Sequence, residues 1–191
     1  GCLLLLLPAY AALTSSAAEV RSLPWSVPSG ALRAGLDPLT GWFLLVLGSL
    51  GAVVSVYGYG YLAHDGEDRS AAAPWVWFNG LLASMVLALV ARNAILFLMA
   101  WEAMTLTSFF LVPREDEREE VRAAGWTYLV AAHLGTACLL ALFALLGSGG
   151  SLDFDRLHAG AVSPGWLFAL ALLGFGVKAG WMPLHVWLPE A

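Results

Sequence analysis

The sequence predicts an all-α polytopic transmembrane helix bundle, and three observations carry that prediction. Of the 191 residues, 60% are hydrophobic, and the mean hydropathy is +0.76. Charged residues make up 12%, against roughly 25% in an ordinary soluble domain. The apolar residues fall in blocks of about 18–25 separated by short charged loops, the length a helix needs to cross roughly 30 Å of hydrocarbon. This composition argues against a disordered chain and against a soluble globular domain. The net charge is −5 and the nine basic residues are dispersed, so no nucleic-acid-binding surface is supported. Cys2 and Cys138 sit far apart in apolar surroundings and form neither a disulfide framework nor a metal site.

Residues 1–13 are apolar but too short to span. They read as a truncated helix rather than a signal peptide, because no positively charged n-region precedes them. The segment 14–37 is an external loop in which Pro24, Trp25, Pro28, Ser29 and Gly30 mark a turn whose flanks can pair as a hairpin. Asp37-Pro38 is a helix start, a capping carboxylate followed by an early proline. It opens the first full span, 39–62, whose glycines permit close packing in a membrane. After an acidic loop, the second span covers 74–91, with Trp75 and Trp77 as interfacial anchors. Arg92-Asn93 is a tight turn into the third span, 94–112. The charge-dense loop 113–122 reads as a solvated connector before the fourth span, 123–146. Gly147 to Gly150 break that helix, 151–161 is a polar connection, and the fifth span covers 164–182. Residues 183–191 begin a further segment, so the chain 1–191 reads as one incomplete membrane domain, an internal piece of a longer protein. Arginine density in the short loops 63–73 and 113–122 places those loops on the cytoplasmic side.

Glu102, His133 and Lys178 each lie inside an otherwise apolar span. A charged group at mid-span costs roughly 2.5–3.5 kcal/mol, so such residues face the bundle interior or a hydrated cavity. Glu102 is too deep to reach water, and Thr105 and Ser108 extend a polar stripe from it at successive i+3 steps. Lys178 can instead snorkel if its helix ends at Trp181. His133 can instead be a neutral packing residue with Thr136 as its partner. The run from Leu173 to Pro183 sets three glycines and a proline around the lysine. That pattern predicts a helix interrupted between Lys178 and Pro183, of the kind that lines cavities and builds ion sites, or else an ordinary glycine-capped helix end.

These residues carry a resemblance. Trp101-Glu102-Ala103-Met104 resembles the glutamate motif of the antiporter-like membrane subunits of respiratory complex I, multisubunit Na+/H+ antiporters, hydrogenase-4 and formate hydrogenlyase. The run from Gly176 through Lys178, Pro183 and His185 to Ala191 is similar to the family's lysine-bearing broken helix. Its ending most resembles the hydrogenase-4 component B branch. Leu36 to Thr40 resembles the acidic motif before the family's third helix. Tyr128 to Thr136 also fits the hydrogenase branch, because complex I relatives tend to carry arginine where His133 stands.

The resemblance implies the N-terminal half of an antiporter-like fold with a discontinuous lysine-bearing helix, in a prokaryotic cytoplasmic (inner) membrane. It implies a proton-translocating subunit of a redox-driven complex of hydrogenase-4 or formate hydrogenlyase type. Glu102 and Lys178 would form a coupled pair, His133 would relay protons, and Thr105, Ser108, Thr136, Pro183 and His185 would support them. At 4 Å and an effective dielectric of about 20, such a pair attracts by about 4 kcal/mol. A Na+/H+ antiporter subunit, with Na+ as the alternative ion, a complex I subunit (NADH-quinone oxidoreductase) and a purely structural scaffold are the other readings. The chain carries no cysteine cluster for iron–sulfur ligation and no dinucleotide fingerprint. Iron–sulfur and nickel–iron or flavin centres are therefore expected in partner subunits, a peripheral redox arm beside other membrane subunits. No metal site is expected in the chain itself.

Overall fold

The computed structural model describes residues 1–15, 18–27, 30–64, 72–111, 119–185 and 187–189. A 3-10 turn, Cys2–Leu5, runs into α1 (Leu6–Thr14). The strands β1 (Glu19–Val27) and β2 (Gly30–Leu36) follow, then α2 (Pro38–His64), α3 (Ala72–Val90), α4 (Ala94–Leu111), α5 (Glu119–Leu146) and α6 (Pro164–Ala179). Among the described residues, four helical stretches are long and apolar enough to cross a membrane: Pro38–Leu62, Ala72–Val90, Ala94–Leu111 and Glu119–Gly149.

The helices pack chiefly in sequential pairs, α1 along α2, α3 along α4 and α5 along α6, with α4 and α5 forming the seam between pairs. Lipid tails offer no hydrophobic drive between helices, so close backbone approach matters most. Cβ positions built at Gly48 and Gly51 would lie 3.0 Å from the Cys2 carbonyl and 3.1 Å from its Sγ. The main core lies between α4, α5 and α6, where Ala94, Trp101, Leu139, Leu142, Phe143 and Leu167 are buried together. Large apolar side chains such as Val56, Leu134 and Trp166 point outward, as lipid-facing residues do.

Two boundaries differ from the sequence reading. The lysine-bearing helix stops at Ala179 rather than at 182. Gly180 takes φ 66°, open to glycine at no steric cost. Its N–H donates to the Val177 carbonyl (3.2 Å) and that of Trp181 to the Gly176 carbonyl (3.0 Å), a Schellman cap. Among the described residues the helix ends at this glycine cap, and 182–185 and 187–189 form turns. α6 has 16 residues, about 24 Å at 1.5 Å per residue. In addition, residues 119–122, read as loop, form the first turn of α5. Glu119 and Glu120 there complement the positive end of the helix dipole. Residues 65–71 and 113–118 of the two charged loops, with Arg69, Arg114 and Arg118, lie outside the described residues, as do Pro28, Ser29, Val186, Glu190 and Ala191.

A polar clamp closes the end of the bundle beside the hairpin. β1 and β2 pair antiparallel from Glu19↔Leu36 to Leu23↔Leu32, with an irregularity between Leu23 and Val27, where Pro24 has no N–H to donate. Asp37 caps α2, its Oδ1 accepting from the Thr40 N–H at 2.7 Å, and its other oxygen pairs with Arg92. The Thr40 N–H holds the Asp37 carboxyl down at about 2, against burial that pushes it up, with Arg92 adding to the lowering. Asn93 donates to Asp153 (3.0 Å) and accepts from the Ile95 N–H (2.9 Å), capping α4. Arg33 reaches both Asp153 and Asp155. The hairpin, the α3–α4 turn and the segment 151–156 are thus joined by side chains as well as by the bridges Ala34↔Ala91 and Asn93↔Asp153.

Candidate functional site

At about 100° per residue, Trp101 and Thr105 share a face of α4, separated by about 40°. Both are buried against α5 and α6. Glu102 lies about 60° to one side of Thr105, and Ser108 about 60° to the other. The polar stripe therefore winds around α4 instead of following one face. Its two ends meet different partners.

Lys178, in the last turn of α6, directs its ammonium toward Thr105 and Tyr128. Nζ donates to Thr105 Oγ1 at 2.8 Å and to the Tyr128 hydroxyl at 3.3 Å. Thr105 can accept because its own hydrogen goes to the Trp101 carbonyl, at 3.2 Å. One aromatic face completes the surroundings: Nζ lies 5.6 Å from the Trp101 ring centroid, while Tyr128 meets it through the hydroxyl edge of its ring. Ser108 also faces the Tyr128 hydroxyl. The α5–α6 approach that permits these contacts runs through glycine. A Cβ built at Gly135 would lie 3.1 Å from the Gly174 carbonyl oxygen, and one at Gly174 only 2.6 Å from Leu139 Cδ2.

Glu102 turns toward His133. His133 Nε2 lies 3.4 Å from Glu102 Oε2, with side chains 50% and 31% exposed. His133 Nδ1 lies 2.8 Å from the Leu129 carbonyl. A carbonyl only accepts, so Nδ1 carries a hydrogen. The contact at Nε2 is then attractive when a further proton resides on the imidazole or on the carboxyl. The Glu102–His133 contact is thus a place where one proton can sit. Glu102 Oε1 is buried without a hydrogen-bond partner.

The structure brings Glu102 and His133 together, and Lys178, Thr105 and Tyr128, but it makes no direct Glu102–Lys178 pair. Among the described residues, neither charge has the other within ion-pair distance. The reason is angular, because the face of α4 that meets α6 carries Thr105 while Glu102 sits on the flank toward His133. Thr136 is not the partner of His133 either. It is buried and donates to the Ala132 carbonyl at 3.2 Å, within its own helix. Lys178 does not snorkel to the helix end, since its amine is held among buried groups. Pro183 is exposed, and His185 is half-buried with Nδ1 buried and unpartnered. Neither touches the lysine contacts described above. Tyr128 was missed as a site residue. The signal for it was the spacing of Tyr128, Ala132, Gly135 and Leu139, all buried on one stripe of α5. A phenol on such a stripe needs an interior partner. Among the described residues, no cluster of three or more His, Cys, Asp or Glu is placed to hold a metal ion.

The chain is 40% identical over 164 residues to hydrogenase-4 component B of Escherichia coli (strain K12), covering 84% of this chain and 24% of that protein. It is 30% identical over 175 residues to NADH-quinone oxidoreductase subunit L of Mycobacterium tuberculosis (strain CDC 1551 / Oshkosh), covering 86% of this chain and 27% of that one. It thus spans about a quarter of the length of these relatives. A chain in the structure of the membrane-bound sulfane sulfur reductase, an archaeal respiratory membrane complex, superposes with TM-score 0.79 at 28% identity, over 98% of this chain and 30% of that one. Residues 91–191, which contain Glu102, His133 and Lys178, match the transmembrane family described as NADH:quinone oxidoreductase/Mrp antiporter. The chain is therefore a member of the antiporter-like membrane subunit family of complex I, Mrp antiporters and hydrogenase-4, an integral multi-pass membrane protein.

Proposed function

We propose that the protein containing this chain is a proton-translocating membrane subunit of a redox-driven complex of hydrogenase-4 or formate hydrogenlyase type. The observation that carries the reading is a half-buried lysine amine held on Thr105, one helical turn along α4 from a carboxyl–imidazole contact. Two proton-binding groups lie side by side in an otherwise apolar bundle. Glu102 and Thr105 stand at i and i+3, about 5–6 Å apart at Cβ. At roughly 8 Å and an effective dielectric of about 20, unit charges still interact by about 2 kcal/mol. A proton arriving on or leaving Glu102–His133 thus changes the energy of the ammonium without contact. Thr105 supplies the hydroxyl that holds the ammonium and Ser108, on its far side from Glu102, supports the Tyr128 hydroxyl, while Thr136, Pro183 and His185 have supporting roles in shaping the helices around the lysine.

The higher identity to hydrogenase-4 component B than to the NADH-quinone oxidoreductase subunit favours the hydrogenase branch, in a prokaryotic cytoplasmic membrane. The partners are other membrane subunits and a peripheral arm holding the iron–sulfur, nickel–iron or flavin centres. The test is Lys178→Met in the full-length protein within its complex. Methionine keeps much of the aliphatic stem and removes the titratable amine. Proton uptake into vesicles, driven by the redox reaction at matched protein level, is expected to be lost while insertion stays normal. Unchanged uptake removes Lys178 from the mechanism. Sodium-dependent transport without electron transfer would point to the antiporter branch instead.

A further inference from the structure

We infer that Trp101 and Tyr128 are positioning residues that hold the Lys178 ammonium in a neutral cage, Trp101 through its ring face and Tyr128 through its hydroxyl, with no carboxylate in direct contact. The inference rests on the reading of Lys178 as a proton-loading group. Each described direct partner of the ammonium is uncharged: the hydroxyls of Thr105 and Tyr128 and the ring face of Trp101. Trp101, Thr105 and Tyr128 are all buried. A ring face attracts a cation through its quadrupole, and the attraction grows when water is excluded. The neutral amine gains no comparable attraction. The cage therefore favours the charged over the uncharged lysine without a direct contact from Glu102, whose charge acts on the ammonium only across the gap.

The walls of the cage are braced. Trp101 makes ring contacts with Phe97 at 5.5 Å and with Phe175 at 5.6 Å, the latter edge to face. Tyr128 is met edge to face by Trp187 at 5.1 Å. The Trp187 indole N–H donates at 2.8 Å to the Val177 carbonyl, which also takes part in the Gly180 cap. The segment beyond the helix break thus folds back to support the ring whose hydroxyl meets the lysine. One consequence is that Lys178 and Glu102–His133 can hold protons at the same time. A direct ion pair would tie the two charges more tightly than the roughly 2 kcal/mol felt across about 8 Å.

The experiment uses the full-length protein in its complex, with Trp101 replaced by mono-, di- and trifluorotryptophan. Fluorine withdraws π density with little change of shape, so folding is preserved. Expected is a stepwise fall of proton uptake with each added fluorine, and a fall of about tenfold for Trp101→Leu, equivalent to about 1.4 kcal/mol. Tyr128→Phe, which keeps the ring and removes the hydroxyl, should lower uptake severalfold at unchanged protein level. Uptake that stays flat across the fluorinated series, with Tyr128→Phe at the wild-type rate, overturns the cage. If Lys178→Met abolishes uptake in that same experiment, only the cage fails. If Lys178→Met pumps normally, the proton-loading reading and the cage fail together.

Discussion

Replacing Gly174 by alanine tests whether the helix crossing sets the lysine site. A Cβ at this position would lie 2.6 Å from Leu139 Cδ2, 2.7 Å from Leu139 Cγ and 3.1 Å from the Gly135 carbonyl oxygen. Ordinary carbon–carbon contact begins near 3.5 Å, so about 1 Å must be found. Leu139 cannot supply it, because its side chain is fully buried. The Gly135 oxygen belongs to the backbone of α5 and moves only with the helix. The strain is relieved by spreading α5 from α6, and overpacking of this kind costs about 1–3 kcal/mol. Lys178 lies one turn further along α6. Its 3.3 Å contact with Tyr128 on α5 is already at the long end of a hydrogen bond, and an extra ångström breaks it. Gly174→Ala should therefore lower both the thermal midpoint of the purified complex and proton uptake. Gly165→Ala in the first turn of the same helix is the control, since its Cβ would meet only Ser163 Oγ, at 3.7 Å. Wild-type uptake and an unchanged midpoint for Gly174→Ala would refute the argument that this crossing places the lysine.

The other predictions concern the clamp and the proton-holding contact. The Asp37 carboxyl is lowered from 3.8 to about 2 in the folded protein, so it contributes stability, of order 2 kcal/mol, that is complete above about pH 4 and lost as pH falls toward 2. Asp37→Asn should unfold at lower temperature than wild type at pH 6, with the gap closing at acid pH; a gap that does not vary with pH counts against this. Asn93→Ala removes the α4 cap and the bond to Asp153 and should cost about 0.5–2 kcal/mol, read as a lower thermal midpoint; no change would show that Arg33 alone secures Asp153. His133→Leu deprives Glu102 Oε2 of its partner and should reduce uptake severalfold, and His133→Arg, which keeps a donor there but stays charged and cannot pass on a proton, should reduce it as well. Equal uptake in all three proteins would exclude His133 from the path.

The sequence by itself determined the elements that depend on local chemistry. Runs of apolar residues of membrane-spanning length mark the helices, because backbone groups in lipid must be satisfied within the segment. Asp37-Pro38 announced the start of α2, and the glycines around Lys178 announced the end of α6, because caps and left-handed turns use few residue types. It also singled out Glu102, His133 and Lys178, since an ionisable group inside an apolar span is conspicuous. Which of them meet was decided only by the tertiary structure. The linear reading paired Glu102 with Lys178, and the fold gave Glu102 to His133 and Lys178 to Thr105 and Tyr128. The clamp of Arg33, Asp37, Arg92, Asn93 and Asp153 likewise joins residues up to 120 positions apart. The physical reason is common to both. A side chain's partner depends on its angle about its own helix and on how closely neighbouring helices cross. Those quantities are set by the mutual packing of surfaces, here the glycine contact between α5 and α6, and no spacing along one helix encodes them.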